Sequence, residues 1–79
     1  MSDILFEGRK HKITTDGKTF FFYTKSAESK WKLRDSNSFD SGIYAEALKD
    51  MKKLLSMKIP EDEKVLKMLE SGFFSISSL

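Results

Sequence analysis

Asp16-Gly17 stands between two runs of strand-forming residues, Lys10-His11-Lys12-Ile13-Thr14 and Thr19-Phe20-Phe21-Phe22-Tyr23. An Asp-Gly pair in that setting favours a two-residue type I′ hairpin turn, because both central positions of that turn need positive φ. With Thr15 opposite Lys18, the register pairs Ile13 with Phe20, Lys12 with Phe21, His11 with Phe22 and Lys10 with Tyr23. Side chains alternate along a strand. Ile13, His11, Phe20 and Phe22 therefore share one face, and Lys10, Lys12, Thr14, Phe21 and Tyr23 share the other. A four-residue loop over residues 26–29 then pairs Tyr23 with Lys32, Phe22 with Leu33 and Phe21 with Arg34. That places Trp31 and Leu33 on the apolar side, and Lys30, Lys32 and Arg34 beside Phe21 and Tyr23.

Seventy-nine residues make one domain, residues 1–79, with room for one sheet and one layer of helix. A deep catalytic pocket with its own supporting shell is hard to fit at this size, and a non-enzymatic protein is expected. Cysteine is absent, which removes disulfides and thiolate zinc sites. With no long apolar run and no basic-then-apolar leader, the expectation is a cytoplasmic chain with no membrane segment. The net charge is +2, but it is unevenly spread. Residues 1–34 hold eight Lys and Arg against four acids, and residues 59–79 hold two against four. The sheet half is thus the place for an anionic partner.

Ile4-Leu5-Phe6 is a short apolar run, and Gly8 either bulges one long strand or separates two short ones. The basic cluster from Arg9 to Lys12 reads equally as a charged edge strand or as a phosphate-facing one. His11, the single histidine, reads as a partly buried, hydrogen-bonded residue rather than a base or metal ligand, since no second His accompanies it. Asp35-Ser36-Asn37-Ser38 reads as the turn that ends the third strand. Asp40 is a candidate N-cap, and Phe39 and Tyr44 fit a hydrophobic staple. Tyr44, Ala47, Leu48, Met51, Leu54 and Leu55 then recur at helical spacing, so a helix is expected over about Ser41 to Ser56. Pro60 suits the start of a second, short helix whose acids Glu61, Asp62 and Glu63 match the positive end of its dipole. Val65, Leu66, Met68 and Leu69 form its apolar side, and Gly72 fits its end. The apolar tail from Phe73 to Leu79 either adds a strand, packs into the core or binds a partner.

The fold expected is α+β: a three-stranded antiparallel β-meander packed on one face by a helix, then a short second helix and an apolar C-terminal segment. Phe20, Phe22, Trp31, Leu33, Leu48, Met51 and Leu55 form the expected core. No glycine-rich phosphate loop, nucleophile elbow or histidine pair at ligand spacing is present, so no catalytic residue, metal ligand or cofactor is expected. What remains is a basic-aromatic sheet face made of Lys10, Lys12, Phe21, Tyr23, Lys30, Lys32 and Arg34. Rings stack on unpaired bases and cations neutralise phosphates, so this face is expected to bind nucleic acid or a nucleoprotein complex. A host protein as direct partner, a dimer made through the face, burial of Phe21 and Tyr23 under Phe73, Phe74 or Ile76, or simple cover of the rings by the Lys stems are the competing expectations. The oligomeric state is left as monomer or homodimer.

Three strands followed by a helix opening at Phe39-Asp40-Ser41, with Ala45-Glu46-Ala47-Leu48 in its first turns, resemble the arm-type DNA-binding domains of phage integrases over about residues 10–55. That resemblance implies a sheet that enters the DNA major groove. In size, lack of cysteine and lack of catalytic motifs, the chain is also similar to small phage-encoded inhibitors of host defence, including anti-CRISPR proteins. The second resemblance implies a protein that blocks a nucleic-acid-handling enzyme by occupying its surface.

Overall fold

A computed structural model describes residues 3–75. Strands β1 (Asp3–Glu7), β2 (His11–Thr15), β3 (Thr19–Lys25) and β4 (Trp31–Ser38) form one antiparallel sheet in the order β1-β2-β3-β4. Helices α1 (Ser41–Leu55) and α2 (Glu61–Glu70) follow. The domain is α+β as expected, but the described residues form four strands, not three. Gly8 separates β1 from β2, and its N–H donates to the His11 carbonyl (2.8 Å) to close the turn. The next two N–H groups, of Arg9 and Lys10, donate to the Glu61 carboxylate at 2.7 and 2.9 Å. A turn whose donors are satisfied from a distant helix carries no local signature.

The β2–β3 turn is wider than the expected two-residue form. Asp16 Oδ1 accepts the N–H groups of Lys18 and Thr19 at 3.0 and 2.8 Å, and Gly17 alone takes positive φ (+99°). An aspartate that caps its own turn in this way favours a longer loop. Thr15 therefore faces Phe20, Ile13 faces Phe22 and Lys12 faces Tyr23, two positions from the expected register. A shift of two preserves the alternation. Ile13, His11, Phe20 and Phe22 still share the inner face.

The β3–β4 turn departs by one residue, and there the faces reverse. Ser29 adopts φ +62° and the loop runs over residues 26–30, so Lys25 pairs with Trp31 and Tyr23 with Leu33. Trp31 and Leu33 thus lie on the outer face with Tyr23 rather than in the core; Trp31 is half-buried and Leu33 is 52% exposed. A bulge at Arg34 then restores the phase, and Asp35 faces Phe22 while Asn37 faces Phe20. The expected end of this strand, Asp35 to Ser38, is instead its second half.

The inner face carries the core: Ile13, Phe20 and Phe22 pack with Met51 of α1, Val65 and Met68 of α2, and Phe73 and Phe74 beyond it. Leu48 and Leu55 are half-buried against this cluster. The Phe20 ring stacks on Tyr44 at 5.1 Å and meets Phe39 and Phe73 edge-on, while Phe22 stacks on Phe74 at 5.3 Å. Asp40 holds the N-cap position of α1 without a side-chain hydrogen bond, and Pro60 precedes the first residue of α2. After α2 the chain reverses through Gly72 (φ +83°), with Gly72 N–H on the Leu69 carbonyl and Phe73 N–H on the Met68 carbonyl, the Schellman pattern that suits glycine. The turn sends Phe73 and Phe74 under the sheet. Asn37 Nδ2 donates to the Phe73 carbonyl and Asp35 Oδ2 accepts the Ser75 N–H, both at 2.8 Å. Ile76 and the residues after it lie outside the described residues. Neither described helix is long and apolar enough to cross a membrane.

Candidate nucleic-acid interface

The outer face of the sheet is read from its register. One cross-strand row runs Ile4, Thr14, Phe21, Ser36, and the next runs Glu7, Lys12, Tyr23, Leu33. A third row joins Lys10, Lys25 and Trp31, with the Lys25 N–H donating to the Lys10 carbonyl at 2.9 Å. Phe21, Tyr23 and Trp31 are half-buried, and none of the three rings pairs with another aromatic ring among the described residues. Cations sit on two of them. Lys12 Nζ lies 4.8 Å from the Tyr23 ring centre and 5.0 Å from that of Trp31, and Lys25 Nζ lies 5.0 Å from Trp31. Phe73 and Phe74 pack against Phe20 and Phe22 on the opposite face, so they do not cover Phe21 and Tyr23.

Four of the seven expected site residues meet on this face: Lys10, Lys12, Phe21 and Tyr23. The other three do not join them as the expected register required. Lys32 pairs with Thr24 and so falls on the inner side of the sheet; Lys30 lies in the β3–β4 loop; Arg34 is the extra residue of the bulge. All three are exposed. In their place the structure brings Trp31, expected in the core, and Lys25, which no sequence expectation includes. For Trp31 the signal was the length of the loop before it, since one added residue exchanges the faces of everything after it, whereas Lys25 shares the face of Tyr23 by simple alternation along β3.

His11 is buried on the inner face, stacked on Phe22 at 5.8 Å, and its Nδ1 meets Glu61 Oε2 at 2.5 Å. That agrees with the expectation of a hydrogen-bonded histidine and gives it a partner. Burial pushes the Glu61 carboxyl up, but the hydrogen bond from His11 and the N–H groups of Lys10 and Arg9 outweigh it and hold the group below its ordinary value. A Cβ at Gly8 would collide with this carboxylate, so the turn keeps glycine there. The contact ties α2 to the β1–β2 turn on the side of the sheet away from Tyr23 and Trp31. Among the described residues no three His, Cys, Asp or Glu side chains converge as metal ligands would.

With this geometry in view, no protein-family model matches the chain, and no similar curated protein or solved structure was found.

Proposed function

We propose that the chain is a non-enzymatic binding protein whose outer sheet face takes nucleic acid. The observation that carries this reading is the placement of the Lys12 and Lys25 ammonium groups at 4.8–5.0 Å over the Tyr23 and Trp31 rings, on a face that neither Phe73 nor Phe74 covers. Cation–π pairs of this exposed kind are worth about 0.5–1 kcal/mol, less than the ~1–3 kcal/mol of a base stacked on an aromatic ring. A base can therefore displace the ammonium, and the ammonium is then free for a phosphate. Lys10 adds a third cation in the same row as Lys25 and Trp31.

A protein partner is the second reading, including a nucleic-acid-handling enzyme of the kind an anti-CRISPR-like inhibitor blocks. Ile4 and Leu33 favour it, because they are 58% and 52% exposed and flank the rings on the same face. Nucleic-acid affinity measured against salt separates the two. Each neutralised phosphate adds roughly 0.7–0.9 to the slope of log affinity against log salt. Lys12→Glu is expected to weaken binding and lower that slope, whereas Lys32→Glu, the same charge change on the other side of the sheet, is expected to do less of both. Equal effects from the two variants would reject the outer face as the site. A partner protein lost on Tyr23→Ala with little salt dependence would favour the second reading.

A further inference from the structure

We propose that the nucleic acid taken by this face is single-stranded, with successive unstacked bases laid on Phe21, Tyr23 and Trp31. The inference rests on the nucleic-acid reading above. Phe21 and Tyr23 are two residues apart on β3, a separation of about 7 Å along a strand. Trp31 is the diagonal neighbour of Tyr23 on β4, since Tyr23 pairs with Leu33, and such neighbours are about 7–8 Å apart. The backbone positions that carry the three rings thus step across the sheet at nearly constant spacing. Bases within one strand of a duplex repeat at about 3.4 Å. Steps of twice that length can be met base by base only by a strand whose bases have come apart from one another.

The outer face also lacks the planar groups that most often read a duplex. A sheet that reads a duplex groove, as the integrase-type resemblance implies, reads adenine with a bidentate Asn or Gln and guanine most often with a bidentate Arg, while Lys, Ser, Thr and Glu also reach base edges. The cross-strand rows of the outer face hold no Arg, Asn or Gln, and their centre is Thr14, Phe21, Tyr23 and Leu33. Lys12 spans Tyr23 and Trp31, so in the free protein one ammonium shields two rings that a strand would occupy together. On binding, Lys12 and Lys25 leave the ring faces for the phosphates that link the stacked bases.

Trp31 is the single tryptophan, so its fluorescence reports this site alone. The test uses the full chain and three probes of about 12 nucleotides: oligodeoxythymidylate, oligouridylate and a mixed-sequence DNA duplex. At low salt, the single strands are expected to bind roughly tenfold or more tightly than the duplex and to change the Trp31 emission. The two single strands distinguish DNA from RNA, and preference for either supports the inference. Trp31→Ala, followed by anisotropy of a labelled strand, is expected to lose about 5- to 150-fold in single-strand affinity. Duplex binding as tight as single-strand binding, unchanged Trp31 emission in the complex, or full affinity in Trp31→Ala each overturns the single-strand inference and leaves the nucleic-acid reading standing. Failure of all three probes to bind overturns that reading itself.

Discussion

Glu61 accepts hydrogen bonds from His11 Nδ1 and from the N–H groups of Arg9 and Lys10, three partners that lie 50 to 52 positions away in the chain. Its carboxyl is held below the ordinary glutamate value, so the stabilisation is present above that value and is lost as pH falls through the lowered one. Glu61→Gln keeps the shape and removes the charge. The variant is expected to lose about 1.5–3 kcal/mol at neutral pH, and the difference from the parent is expected to shrink below about pH 4, as followed by thermal melts across pH. A gap that stays constant down to acid pH would show that the charge contributes nothing. The amino-acid pattern marks Glu61 only as an acid at a helix start, which it also is. His11 was legible as a buried, bonded group because alternation put it beside Phe22, but nothing local names a partner half a chain away.

Strand β4 shows how little separates one face from the other. Its first half sends Trp31 and Leu33 outward and its second half sets Asp35 and Asn37 inward, where they hold Ser75 and Phe73; Arg34 between them carries the change of phase. Deleting Arg34 is expected to leave one half on the wrong face. Either Asp35 and Asn37 release the segment after α2, or Trp31 turns inward and its emission shifts to the blue; amide exchange at Ser75 and the Trp31 spectrum tell the two apart. A deletion variant with native exchange and native emission would contradict the bulge. Both helices were legible nearly to the residue, because their apolar spacing persists over several turns and Pro60 and Gly72 punctuate them. Strands β2, β3 and the first half of β4 were legible as strands, but β1 was not resolved as a fourth strand, the second half of β4 read as a turn, and the turns at Asp16 and Ser29 were not legible. The first error moved pairs by two and left every face correct. The second moved them by one and exchanged Trp31 and Leu33 for Lys32, which is why the aromatic site was only half visible in the sequence.

Across the whole molecule the sheet divides two kinds of surface. Phe20 and Phe22 gather both helices and the segment after them on the inner side, while the odd-numbered neighbours Phe21 and Tyr23 remain outside with Lys12. Every strand pairs with its neighbour in sequence, so the sheet is assembled from short loops alone, and the long-range closures are those of α1, α2 and Phe73-Phe74 upon it. Local closures are fast and distant ones are slow, since loop entropy grows with the length of chain enclosed. The sheet can therefore zip before the helices dock, and contacts made at docking form late. Glu61→Gln removes such a late contact and is expected to accelerate unfolding while leaving the refolding rate nearly unchanged, the signature of a residue unformed in the transition state. Stopped-flow refolding and unfolding of the parent and the variant read this directly, and a slowed refolding limb would place the Glu61 contact in the nucleus instead. If docking does come last, the basic-aromatic face is built before the helices lock behind it, and an opening of α2 alone would leave that face in place.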